Sequence, residues 1–294
     1  MNFKQLEYFI RVAEHGSFSK AALVLDIAQP ALSRQVRALE TELREALFLR
    51  NGRGVTLTEA GTRLLEHGQA IMQMLVHARE DLGAQRDEPL GQIVVAMPPT
   101  LARLHTLELI HAFRSEMPRA RLSIMEGFSI HITEWLLSGR ADLALVYSPE
   151  PMPALAVEPL MEEHMSLVSP AGEAPSGPVA LKDLARYPLV LPQRGYIFRK
   201  LMESSAAMAG VPLNVAWEVS SLPVILDLVS AGLGHAVLGD AAIRLFPHPK
   251  KLAVTRFKGV DIKSTLCLVT TAQKRTTPLI KRTSEVLKRL VLRG

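Results

Sequence analysis

At 294 residues the chain has room for two or three folded units of the usual ~100 to 200 residues each. Its 48% hydrophobic and 21% charged content, with neither an apolar leader nor a long uncharged apolar run, excludes export and membrane spanning and points to a cytoplasmic protein with real cores. Cys267 is the only cysteine, which excludes a disulfide framework and a Cys-rich zinc site, while a net charge of +5 and a pI near 9.4 suit an anionic partner without identifying it.

Residues 2–15 read as a helix, because Phe3, Leu6, Phe9, Ile10 and Ala13 recur at helical spacing, and Gly16 ends it. A short second helix, residues 19–25, is built on Ala21, Ala22 and Leu25, and Ile27 plugs the turn that follows. Pro30 is tolerated where its missing amide has no intrahelical partner, so the third helix starts near Gln29. Leu32, Val36, Leu39 and Leu43 form one buried stripe along it, and Gln29, Ser33, Arg34 and Arg37 fall on the opposite face. This is the pattern of a helix-turn-helix, whose second helix enters the DNA major groove. Gln and Arg make bidentate contacts to adenine and guanine edges, and Ser serves either base. An amphipathic surface helix with a solvated charged side has the same periodicity. Residues 47–57 then read as two short apolar strands around an Asn51 and Gly52 turn, a hairpin that makes a wing. Arg50 and Arg53, at its base and tip, are placed for phosphates or a minor groove and give affinity and salt dependence more than specificity. The candidate DNA-contacting set is Gln29, Pro30, Ser33, Arg34, Arg37, Arg50 and Arg53.

Thr58 and Glu59 open a long helix to about residue 85, roughly 28 residues or ~42 Å. Gly61, Leu64, Gly68, Ile71, Leu75, Ala78 and Leu82 make a heptad seam along it. Such a seam pairs with a second copy or packs on its own protein. Residues 85–91 break the helix, with Pro89 and Gly91 as a hinge. Strands and helices then alternate: strands 93–97, 121–125 and 142–147 with helices 101–116 and 130–137, followed by strands 189–191, 216–219 and 236–238 with helices 197–209 and 223–231. A strand at 266–270, where Cys267 reads as a buried residue, and an amphipathic helix at 278–292 close the chain.

Two similar halves joined by a crossing chain imply a cleft beyond the strand ends. Its polar groups come from Pro98, Pro99 and Thr100, from Gly127, Phe128 and Ser129, from Gln193, Arg194 and Gly195, and from Ser220 and Ser221. Thr100, Ser129 and Ser221 are also simple N-cap candidates. Several caps facing one cleft make an anion site, because helix amino ends present free amides and positive dipole. Arg194 is the one cation among these loops, open to a ligand or to a salt bridge, and Phe128, Tyr147 and Ile197 are candidate apolar walls. No GxSxG elbow, phosphate loop, HExxH or glycine fingerprint is present, so the chain does not read as an enzyme. His131 and Glu134 are spaced as a metal pair but more commonly form a solvated one, and the Gly232, Leu233, Gly234 run ends a helix rather than opening a nucleotide site.

The pattern FxxVAExGSFSxAAxxLxxAQPALSRQVRxLE from Phe9 to Glu40, with LFxRxxRGVxLTxAG from Leu47 to Gly61, resembles the LysR-type transcriptional regulators over the whole chain, with a likeness to their nitrogen assimilation control branch. The resemblance implies an α/β architecture of three parts. These are a winged helix-turn-helix at 1–58, a linker and dimerisation helix with hinge at 59–88, and a two-lobed effector domain at 89–294. That domain is similar to type 2 periplasmic binding proteins, its second lobe running from about 163 to 266. It implies that these loops line an effector pocket; the candidate lining is Pro99, Thr100, Phe128, Ser129, Tyr147, Gln193, Arg194, Ile197 and Ser221, and the helix amino ends there favour a small-molecule carboxylate or sulfonate, with no other cofactor and no metal expected. The implied partners are a double-stranded DNA operator, a second copy in a dimer or tetramer and, for an activator, RNA polymerase. No membrane is involved. A constitutive regulator without inducer is the alternative, since some members of that branch act so. The family often has a proline where Gly239 follows Val237 and Leu238, a departure whose local effect is a looser turn.

Overall fold

The computed structural model describes residues 1–51, 54–83, 89–272 and 276–293, with the side chains of residues 50, 51 and 76–83 outside the description. The chain divides into two compact units, the first made of Met1–Gly83 with Ser138–Arg140 and the second of the remainder.

In the first unit, helix α1 (Phe3–His15) is opened by a reciprocal capping box: Asn2 accepts from the Gln5 amide, and Gln5 accepts from the Asn2 amide. It is closed by Gly16 in the left-handed conformation, φ 60°. Helix α2 (Phe18–Val24) is capped by Ser17, and α3 (Gln29–Leu43) carries Pro30 in its first turn. Strands β1 (Phe48–Asn51) and β2 (Gly54–Leu57) pair antiparallel, Phe48 opposite Leu57, as the wing. Helix α4 (Glu59–Gly83) follows, with the Thr58 hydroxyl accepting from the Gly61 amide at 2.9 Å. Leu6, Phe9, Leu32, Val36, Leu39 and Leu47 form the centre of the core, and the Phe48 ring lies 5.3 Å from Phe9 and 5.7 Å from Phe18. Leu43, expected in the buried stripe, is 37% exposed on the last turn, where Arg44 turns the chain away.

The upper part of the expected pairing seam on α4 is turned inward. A Cβ on Gly61 would run into the Leu47 carbonyl, one on Gly68 would stand 2.9 Å from Leu6 Cδ1, and Leu64 and Ile71 pack on the same core. The small residues therefore seat α4 on its own winged helix. Ala78 and Leu82 of the seam have side chains outside the described residues, as does most of the expected hinge at 85–91.

The second unit runs β3 (Gly91–Met97), α5 (Pro99–Glu116), β4 (Ala120–Glu126), α6 (Ser129–Leu137), β5 (Leu143–Tyr147) and then β6 (Leu155–Pro170). There follow β7 (Val179–Ala180), β8 (Leu189–Pro192), α7 (Ile197–Met208), β9 (Val215–Val219), α8 (Leu222–Ser230), β10 (Ala236–Gly239) and α9 (Asp240–Arg244). Strands β11 (Leu252–Lys258) and β12 (Lys263–Thr271) and helix α10 (Pro278–Arg293) complete it.

Strand β6 organises both lobes. Its first half, to His164, pairs antiparallel with β12 in the sheet β4-β3-β5-β12-β6, while its second half, from Met165, pairs with β10 and β11. Apolar side chains cover both faces of the first sheet: Val95, Leu109, Leu145 and Leu287 on one, and Ile132, Val146 and Cys267 on the other. The second lobe buries Leu167, Leu184 and Leu191 on one side of its strands and Val190, Ile225 and Leu238 on the other. No described helix is long and apolar enough to cross a membrane.

Candidate functional site

On α3 the inward stripe Leu32, Val36 and Leu39 is fully buried, and Gln29, Pro30, Arg34 and Arg37 are exposed beside half-buried Ser33. The helix is locked to the wing by Glu40, whose Oε1 accepts from the amides of Leu47 at 2.8 Å and Phe48 at 3.3 Å. Thr58 adds a second tie, its hydroxyl donating to the Ala46 carbonyl at 2.6 Å. Neither positioning residue is marked by the helical period, because each acts on backbone across a turn. The Arg50 side chain and Arg53 lie outside the described residues.

In the second unit a cavity of about 910 Å³ receives the amino ends of α5, α6, α7 and α8. Pro99, Thr100, Phe128, Ser129, Tyr147, Ile197 and Ser221 all line it. Gln193 and Arg194 do not; both are exposed beyond the end of β8. The buried cation of that region is Arg199, which donates to the Pro192 carbonyl at 2.7 Å and pairs with Glu203 at 2.8 Å and Glu218 at 2.9 Å. Those bonds commit it to the frame. The guanidinium that does line the cavity is Arg103, one turn beyond Thr100 on α5.

The hydroxyls are not consumed as caps in the way their positions suggest. Thr100 lies inside α5, whose N-cap is Pro98, and Ser221 precedes α8 without a capping hydrogen bond from its side chain. The first-turn amides other than those of Pro99 and Pro223, which have no N–H, lack intrahelical acceptors, so these ends offer donors to an occupant.

Two aromatic pairs join the lobes across the cavity. Tyr147 meets Phe198 edge-on at 4.8 Å, and Phe128 meets Tyr196 at 4.3 Å, with the Tyr196 hydroxyl donating to the Ser220 carbonyl at 2.6 Å. On the wall beside them the Tyr147 hydroxyl donates to Glu163 Oε2, while Glu163 Oε1 accepts from the Ala241 amide at 2.8 Å. Burial pushes both groups up from their ordinary values; for Glu163 the bonds from Tyr147 and Ala241 oppose it, and for Tyr147 the neighbouring carboxylate adds to it. Gly239 gives Glu163 its room, since a Cβ there would stand 2.9 Å from Glu163 Cδ. The departure at Gly239 is therefore a spatial accommodation of a carboxyl group. Glu126 and Asp227 are further acidic residues on the lining.

The Cys267 thiol is buried in β12, and burial pushes its pKa up, away from the reactive thiolate. His131 lies between the rings of Phe128 and Trp135, at 5.8 and 6.4 Å. Among the described residues no three His, Cys, Asp or Glu side chains converge as metal ligands.

Residues 3–62 match the family described as bacterial regulatory helix-turn-helix protein, lysR family, and residues 86–291 match the LysR substrate binding domain. The nitrogen assimilation regulatory protein nac of Klebsiella aerogenes is 29% identical over 294 residues, covering 100% of this chain and 96% of the relative. The HTH-type transcriptional regulator BbuR of Bordetella bronchiseptica is 30% identical, covering 90% of this chain and 82% of its own. Among solved structures, full-length CbnR complexed with its target DNA superposes with a TM-score of 0.72 at 25% identity, covering 99% of this chain and 100% of that one. A full-length OxyR variant from Pseudomonas aeruginosa gives 0.73 at 25% identity, covering 99% and 94%.

Proposed function

The chain belongs to the LysR family of DNA-binding transcriptional regulators, which are not enzymes, and on that premise we propose that a small organic anion held between its two lobes modulates its grip on an operator. The observation that carries this reading is the convergence of four helix amino ends on one largely apolar cavity of about 910 Å³. The acid group accepts from the Thr100 and Ser129 hydroxyls and adjacent amides, with Arg103 in the part that Arg194 was expected to play. Phe128, Tyr147 and Ile197 pack the organic body.

On the DNA, Gln29, Ser33, Arg34 and Arg37 read base edges from the exposed side of α3, with Pro30 fixing the helix start, while Arg50 and Arg53 of the wing hold phosphate. The working form is a homo-oligomer, dimer or tetramer, on paired half-sites, acting in the cytoplasm as an activator with RNA polymerase. A thermal-shift screen of small carboxylates and sulfonates tests the cavity. A hit raises the melting temperature of the wild-type chain and leaves Thr100→Val with Ser129→Ala unmoved. A hit that stabilises the double variant equally would sink the assignment.

A further inference from the structure

We infer that the occupant of this cavity carries a protonated nitrogen beside its acid group, received by Glu163, so that the effector is a zwitterion of the amino-acid class. The inference rests on the reading of the cavity as an effector site and names the chemistry of its second pole.

The charges on the lining carry it. Glu126, Glu163 and Asp227 lie on the lining with one guanidinium, Arg103, while the charge of Arg244 acts on Glu163 from off the lining. A simple anion uses only the helix amino ends, whereas a zwitterion also brings a cation to Glu163, the buried one of the three; Glu126 and Asp227 are exposed to solvent. Glu163 is the one built for recognition, because it is only 5% exposed and sits on β6 where that strand passes from one lobe to the other. Its partners are the Tyr147 hydroxyl on one oxygen and the Ala241 amide on the other. A carboxylate has about four acceptor directions, so acceptor capacity remains on both oxygens. No basic side chain among the described residues forms an ion pair with it, and the charge of Arg244 reaches it only from beyond ion-pair distance. Burial disfavours the charged form of Glu163, and an ammonium arriving with the ligand favours that form and takes the remaining acceptor positions.

Gly239 is the independent mark of the same site. Its φ of −75° is open to any residue, so the glycine is not required by the backbone. It is required by Glu163, whose Cδ would lie 2.9 Å and Cγ 3.2 Å from a Cβ at that position. The chain has made space for a carboxyl group on the wall of an apolar cavity.

The test is calorimetry on the full chain with each common L-amino acid paired with its deamino carboxylic acid, such as L-phenylalanine with 3-phenylpropionate and L-leucine with 4-methylpentanoate. The expected result is an amino acid that binds about tenfold or more tightly than its deamino partner, the size of one charge-assisted hydrogen bond. That preference disappears in Glu163→Gln. It also shrinks in Gly239→Ala, where the added methyl displaces the carboxyl group without changing its charge; thermal melting verifies that each variant is folded. Equal or tighter binding of the deamino acids, or a preference that survives Glu163→Gln, overturns the zwitterion while leaving an acid-binding cavity standing. Binding by neither series overturns both.

Discussion

Arg34 and Gln29 project from the exposed side of α3 while the buried stripe beneath them belongs to the core of the winged helix. Truncating either to Ala leaves no cavity, and if they make the proposed base contacts a loss of ~1 to 3 kcal/mol in operator discrimination is expected. Binding-site selection checks it: the Arg34→Ala chain returns a relaxed motif, and an unchanged motif at unchanged affinity would refute the assignment. Buried histidines give the second unit a pH dependence. Burial lowers His105 and His235 below 6.5, against the raising influence of Glu108 and Glu173 respectively. A histidine with a depressed folded pKa binds fewer protons folded than unfolded, so stability is full above 6.5 and is lost as pH falls from there through the folded value. Melting curves from neutral to mildly acidic pH are expected to show this decline, and His105→Asn to flatten part of it. The exposed position of Arg34 was legible because the helical period fixes both faces of α3. Arg103 also lies on the helical period from Thr100, but it stands inside a helix rather than at a loop end, while Arg194 at its loop end is off the cavity and nearby Arg199 holds the frame.

At the scale of elements, α4 has a first half committed to its own domain. Gly61 lies against the Leu47 carbonyl and Gly68 against Leu6 and Ile10. Gly68→Leu is expected to cost ~1 to 3 kcal/mol of winged-helix stability through overpacking, read as a lower melting temperature. Met74→Glu, by contrast, changes a side chain that is 63% exposed and should leave that melting point in place. If both variants melt alike, the inward packing of Gly68 is wrong. A three-four repeat in sequence does not tell which neighbour fills it, which is why the seam read equally well as a pairing surface. Strand β6 was unreadable for another reason. Its first half exposes acidic residues, and its pairing with β12 slips between Leu266 and Cys267, so the alternation that betrays a strand is interrupted. Glu163 went unseen with it. The strand-helix alternation around it was plain because each of those strands is short and apolar.

For the whole molecule, an occupant of the cavity alters operator affinity only as far as it binds the two DNA-related states differently, and the coupling is reciprocal. Operator DNA is therefore expected to shift the effector's Kd by the factor by which effector shifts operator affinity, and calorimetry with and without DNA measures both. Thr100→Val with Ser129→Ala should abolish the coupling while DNA binding persists. An effector whose Kd is the same in both conditions would mean that the cavity does not regulate. The sheet order has one more consequence, for the growing polypeptide. Strand β12 sits between β5 and β6, yet it is made after the whole of the second lobe. Until it leaves the ribosome, β5 and the first half of β6 present unpaired edges, the state in which strands recruit one another between chains. The second lobe, whose strands run without interruption from Met165 to Lys258, is free to close first. The order of synthesis thus leaves the amino-terminal lobe as the last to be sealed and as the nascent chain's point of exposure to aggregation.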